Sequence, residues 1–237
     1  MKALDSQLSG LRDRVITMGD LTLQMVSHVD DVLARPQDEA LLREIFRQEE
    51  ELDRLQVDID HLAMQLLVLY CPVAADLRLL MSVSRLTVEL ERMGDQVVNL
   101  CQSVHLLPDS GPLCLLPEIR QLAQVVKQMV ADALDAFIQG DSPKAQSIIQ
   151  RDVQADTLCH RVVAQLLSGQ TAHDQTAHDA ACQQPHLADA LVQVLIARAL
   201  ERIGDLATNI CEEVVYTVKG QDIRHLRQVV QAPPDIS

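Results

Sequence analysis

Hydrophobic residues recur every three or four positions along most of the chain. Leu86, Leu90, Met93, Val97, Leu100 and Val104 form one stripe with the period of an α-helix. Ile45, Leu52, Leu55, Ile59, Leu62, Leu66 and Leu69 repeat the pattern upstream. No stretch alternates strictly with β-branched and aromatic residues, so no strand is predicted. Prolines at 36, 72, 108, 112, 117, 143, 185, 233 and 234 leave six Pro-free stretches long enough for helices. A proline inside a helix removes a donor and clashes with the preceding turn, so prolines collect at helix ends. The pattern predicts an all-α protein of six long helices.

Those helices fall into two sets of three. Residues 90–101, LERMGDQVVNLC, match residues 200–211, LERIGDLATNIC, at seven of twelve positions. Upstream, EEELDRL at 49–55 parallels DVQADTL at 152–158, and VDDVLARP at 29–36 parallels ALDAFIQG at 133–140. Self-similarity at an offset of about a hundred residues is the mark of a duplicated three-helix unit. The organisation read from it is a first repeat over 1–107, a linker over 108–117, a second repeat over 118–225 and a tail over 226–237. The second repeat carries an insert, residues 169–186, whose doubled TAHD suggests an exposed loop.

Composition narrows the function. Against 20 Lys and Arg the chain sets 34 Asp and Glu, a formal charge of -14. That surplus argues against binding a nucleic-acid backbone, which needs clustered cations. Only four residues are aromatic, too few for stacking on single strands. No glycine-rich phosphate loop is present. The start of the chain has no signal-peptide pattern, and the greasiest stretch, 62–75, is too short to span a bilayer. Six cysteines without a C-x-x-C pair read as reduced thiols packed as small hydrophobes, which points to the cytoplasm. Met18, Met25, Met64, Met81, Met93 and Met129 sit within helical patterns and read as core filling.

The acids have a pattern of their own. Four helices carry an acid followed four residues later by Asp: Glu49/Asp53, Glu91/Asp95, Asp152/Asp156 and Glu201/Asp205. Residues four apart are neighbours on a helix, and like charges there repel. A hard cation shared between the carboxylates reverses that sign. Relative to the apolar stripe, Glu91, Asp95 and Asn99 are expected on the outward side, with Glu201, Asp205 and Asn209 repeating the arrangement, so each unit presents its acids outside the bundle on a surface shared by its second and third helices. The bland alternative is an ordinary solvated face with Arg92 and Arg202 as ion-pair partners, worth little at a surface.

These segments resemble the PhoU family of phosphate-transport accessory and regulatory proteins. The likeness covers nearly the whole chain. It rests on PVAADLR at 72–78, LERMGDQVVN at 90–99, LERIGDLATNICEEVVYTVKGQDIRH at 200–225, and the acid pairs upstream. The resemblance implies a pseudo-two-fold pair of three-helix bundles, usually a homodimer, with no enzymatic activity. It further implies surface metal clusters held by Glu49, Asp53, Glu91, Asp95, Asp152, Asp156, Glu201 and Asp205, with Asn99 and Asn209 as additional polar contacts. Iron or zinc is the foremost metal implied, then magnesium or manganese. The implied role is an adaptor between the phosphate ABC transporter's ATPase and a sensor histidine kinase. It represses starvation genes when phosphate is plentiful and reaches the membrane complex only through partners. Here Gln96 and Leu206 follow the motif Asp where many relatives have His, and PHLADAL replaces the second PVAADLR.

Two rival readings remain open on the residues. A di-iron carboxylate enzyme would use inward Glu and E-x-x-H motifs, of which the chain has none. A helical scaffold without metal is the other. His173, His178, Cys182 and His186, with Asp174 and Asp179, crowd the insert but match no standard zinc spacing, so a polar loop is expected there. Cys101 and Cys211 fall on the apolar stripes and are expected in the core.

Overall fold

The computed structural model describes residues 2–105, 115–168 and 187–224. Six α-helices account for nearly all of them: α1 Lys2–Ala34, α2 Glu39–Tyr70, α3 Ala74–His105, α4 Pro117–Gln139, α5 Ser142–Ser168 and α6 Leu187–Lys219. No strand occurs among the described residues. The insert 169–186 with its histidines, most of the linker and the tail lie outside the described residues.

Local chemistry sets the helix ends. Asp38 starts α2 by accepting from the Ala40 and Leu41 amides, both at 3.1 Å. Pro117 opens α4, where its missing N–H costs nothing. The Leu116 amide just before it donates 2.9 Å to the side-chain carbonyl of buried Gln193 on α6. Gly140 closes α4 at φ 64°, a left-handed conformation that glycine adopts without strain. Asp141 then accepts from the Lys144 amide at 2.9 Å and starts α5.

The α3 stripe buries as predicted: Leu86, Leu90, Met93, Val97, Leu100 and Val104 are all fully enclosed. Helices α1, α2 and α3 pack on one another, and so do α4, α5 and α6. The two bundles join through α3 against α6 and α1 against α4, leaving α2 and α5 on the outside. The α3–α6 seam runs antiparallel and mixes apolar with polar contacts. Glu213, 5% exposed, meets the guanidinium groups of Arg85 and Arg224 at 3.4 Å each. Arg85 also lies over the Tyr216 ring at 5.7 Å, and Asn209 donates 3.1 Å to Glu89.

Four residues expected in the core are exposed. Met64 and Met81 are 64% and 41% exposed, because at 100° per residue each faces away from its helix's buried stripe. Leu69, in the last turn of α2, is 73% exposed. Cys101, Cys159 and Cys211 are buried, but Cys71 caps α2 in the left-handed region and is exposed. Cys114 and Cys182 lie outside the described residues.

The motif glycines, Gly94 and Gly204, sit where the third helix of each bundle crosses the second. A methyl group at Gly94 would stand 2.6 Å from Cδ2 of Leu52 on α2, a side chain with no exposed surface. At Gly204 the nearest atoms are 3.6 Å and 3.7 Å away, ordinary contact. Gly94→Ala is therefore expected to destabilise the fold by about 1–3 kcal/mol through overpacking. Gly204→Ala should be neutral or gain up to ~1 kcal/mol from helix propensity. Urea midpoints of the two variants test this, and equal losses would contradict it.

Candidate functional site

Each bundle sets its acid pairs where the second and third helices meet. In the second bundle α5 supplies Asp152 and Asp156, and α6 supplies Glu201 and Asp205. Carboxylate oxygens of Asp152, Asp156 and Asp205 lie within 4.8 Å of one another, the one such convergence among the described residues. Asp152 is 5% exposed and the other two are half-buried. These acids line the groove between the second and third helices, the surface on which the sequence pattern puts them, but Asp152 sinks deeper than an outward position implies. Asp152 falls on the buried side of α5, among Ile148, Ala155 and Cys159. On α3 and α6 the acids lie well round the helix from the buried stripe and stay partly exposed, at the groove shared with the second helix.

Gly204, one residue before Asp205, faces α5 across this groove: a methyl there would stand 3.7 Å from Cβ of Ala155 and 3.9 Å from Oδ1 of Asp152, in ordinary contact.

Crowding like charges under partial cover changes their proton affinity. Burial, then the charges of Asp152, Glu201 and Asp156, raise the Asp205 carboxyl to about 6. Arg202, 3.8 Å away, opposes this only weakly from its exposed position. Glu201 has a closer partner in Arg198, at 3.1 Å. Cys159 is a neighbour that sequence reasoning assigned to packing alone. Its buried thiol is pushed up to about 11, by burial first and then by Glu201. The spacing 152, 156, 159 along one face of α5 was the available signal.

The first bundle is looser. Glu49, Asp53, Glu91 and Asp95 sense one another: burial, then Asp53 and Asp95, raise Glu49 above its usual range. Burial, then Asp95 and Asp53, do the same for Glu91. Asp53 is exposed, and no three of these acids share the tight convergence seen in the second bundle. Arg92 pairs with Glu89 at 3.8 Å. Asn99 is exposed, while Asn209 is committed to Glu89 across the seam.

The donor set suits a hard or borderline cation. Three carboxylates converge, partly shielded from water, and ordinary charge repulsion opposes the arrangement. Fold and site together define a duplicated three-helix protein with one inter-helix acid cluster per copy. The PhoU domain family matches residues 15–104 and 119–214, one domain for each bundle. The chain belongs to the PhoU family. It is 31% identical over 222 residues to the phosphate-specific transport system accessory protein PhoU of Escherichia coli, covering 94% of this chain and 88% of that one. It is 30% identical to the PhoU homolog of Aquifex aeolicus, covering 94% and 96%. Among solved structures, the phosphate transport system regulatory protein PhoU from Streptococcus pneumoniae superposes with a TM-score of 0.81 at 26% identity, covering 93% of this chain and 99% of that one. PhoU from Pseudomonas aeruginosa gives 0.79 at 28% identity, covering 92% and 99%.

A raised Asp205 carboxyl has a signed consequence for stability. From its ordinary value near 3.8 up to about 6, the folded state holds this proton more tightly than the unfolded chain. Stability of the metal-free protein therefore falls as pH rises through that window and stays lower above it. Because the side chain is 42% exposed, solvent screening leaves a penalty of only about 1 kcal/mol. Asp205→Asn should raise the Tm of chelator-treated protein by about 2–4 °C at neutral pH and leave it unchanged at pH near 4. Thermal melts at the two pH values read the difference; an equal shift at both would contradict the electrostatic origin.

Proposed function

We propose that the chain is a non-enzymatic, metal-binding accessory regulator of phosphate uptake. The observation that carries this reading is the convergence of Asp152, Asp156 and Asp205 within 4.8 Å at the α5–α6 groove. Glu201 lies beside them, and Glu49, Asp53, Glu91 and Asp95 form the looser counterpart. Iron or zinc is the proposed occupant, with magnesium or manganese as alternatives. A bound cation would supply positive charge that offsets the repulsion among the carboxylates. The carboxylates themselves tie α5 to α6 and α2 to α3, so occupancy stiffens both helix pairs.

Each cluster draws on two adjacent helices at a groove. A di-iron enzyme instead gathers Glu and His from facing helices inside a bundle. Relatives named as accessory or regulatory proteins of phosphate transport, matching over 94% of the chain, support an adaptor role. The proposed partners are the phosphate transporter's ATPase and a sensor histidine kinase, with a second copy of the chain completing a homodimer. No described helix is long and apolar enough to cross a membrane. A cytoplasmic protein that meets the membrane complex through its partners fits that observation. The surplus of 34 acids over 20 bases makes the surface unfavourable for free phosphate. The phosphate signal then arrives through the transporter, and the regulator represses starvation genes when phosphate is abundant.

Metal analysis of protein purified without chelator tests the site. Wild type should carry bound metal, and the Asp95→Ala, Asp205→Ala double variant should lose most of it while remaining helical. Metal content that is unchanged in the double variant would refute the assignment.

A further inference from the structure

The four residues that missed the core, Met64, Leu69, Cys71 and Met81, all lie at one end of the α2–α3 hairpin. Val68 on α2, Val73 in the connection and Leu77 on α3 are exposed beside them. Apart from the Cys71 thiol, each of these side chains is between 40% and 74% exposed. Met64 and Val68 stand four residues apart on α2, as Leu77 and Met81 do on α3, so each pair forms a line along its helix. Six large apolar side chains at one hairpin end leave several hundred Å² of apolar surface, as much as the largest patch on a typical monomer. Charge is nearly absent from the same stretch. From Leu62 to Ser84 the charged residues are Asp76 and Arg78, of opposite sign, in a chain of formal charge -14. Met81 stands roughly 21 Å along α3 from Asp95, at 1.5 Å per residue, so the patch is separate from the acid cluster.

We propose that this neutral, apolar hairpin end is the self-association surface of the chain, paired with the same surface of a second copy across a two-fold axis. The inference rests on the homodimer named above and deepens it by assigning its surface. Two chains of formal charge -14 repel each other. A stable pair must therefore touch where acids are missing and bury enough apolar area to outweigh the repulsion that remains. The hairpin end meets both conditions. A standard stable interface takes about 800 Å² from each partner, and the six side chains supply much of that before any rim is counted. An apolar face without net charge is also complementary to itself, which is what a two-fold contact requires. A basic partner would instead be drawn to the acid-rich faces, and an anionic membrane selects clustered Lys and Arg, which this patch lacks. The second repeat does not reproduce the surface. It exposes Leu167 and Leu191 at the places matching Met64 and Met81, but residues 165–194 carry Asp174, Asp179 and Asp189 with no Lys or Arg. Two such faces would oppose like charges. One self-complementary face per chain closes the assembly at two copies.

The test is sedimentation velocity of the full chain under reducing conditions, over a range of micromolar concentrations, with and without chelator. Val68→Glu and Met81→Glu each place a charge in the patch from an exposed position, one on each helix. Leu167→Glu, exposed on the second repeat, is the control. Circular dichroism and metal content check the fold of all three. Wild type should be a dimer that survives chelator and tightens as salt screens the net repulsion. Val68→Glu and Met81→Glu should each raise the dimer dissociation constant about tenfold or more, since the two-fold axis sets each new charge against its own copy in an apolar contact. Leu167→Glu should leave it unchanged. A wild-type dimer whose constant either patch variant keeps would overturn the surface and leave the homodimer standing. A wild-type monomer at every concentration would overturn the homodimer and the surface with it. A dimer that chelator dissolves, or that Leu167→Glu splits, would also overturn the proposal, in favour of a metal bridge or of the second repeat.

Discussion

Everything in this molecule depends on how closely the third helix of each bundle is drawn against the second. Burial of the stripes sets that distance. A fully enclosed Leu or Met contributes about 1.5–3 kcal/mol, and α3 alone encloses Leu80, Leu86, Leu90, Met93 and Leu100. Like-charge neighbours four apart on a helix oppose folding by only about 0.2–0.5 kcal/mol per pair. The apolar contacts therefore win, and they carry the flanking carboxylates into each other's fields. The raised Glu49, Glu91 and Asp205 carboxyls record that imposed proximity. A cation-ready cluster is thus a by-product of packing: the core holds acids together that would separate in an open chain.

The two copies show how finely this balance is set. Both carry E-R-x-G-D, yet Gly94 is pressed by Leu52 whereas Gly204 has ordinary room. The carboxylates answer differently. Asp152 sinks to 5% exposure and joins Asp156 and Asp205, while Asp53 stays exposed. Flanking cations differ as well, since Arg198 bonds Glu201 in the second copy and the matching position in the first is Val88. Duplication preserved the carboxylates and let the surrounding shape diverge, so the two clusters differ in depth and tightness.

Helix number, helix breaks and the repeat were legible in the sequence because they depend on local rules: proline placement, capping residues and period. The third-helix stripe was legible for the same reason. What failed was anything set by a neighbouring helix. Met64 and Met81 looked like core because they are apolar and lie in apolar runs, but their angular position turns them to solvent. The acids were legible as facing the surface shared by the second and third helices, but the depth of Asp152 and the convergence of three carboxylates there depend on how the two helices pack. Asn209 was legible only as a polar contact after the motif; that it bonds Glu89 on the other repeat depends on a seam that no single-helix pattern encodes.

That bond also joins the turns of α6 and α3 next to the two acid clusters. Asn209 follows Asp205 by one helical turn, and Glu89 precedes Glu91 by two residues. Glu89 is held by Asn209 on one side and by Arg92 on the other. Further along the same seam, Glu213 is nearly buried between Arg85 and Arg224, so α3 and α6 cannot slide without stranding a charge away from water. The turns of α6 and α3 that bear Asp205 and Glu91 are thus held to one polar seam, and the position of that seam sets how the repeats face each other.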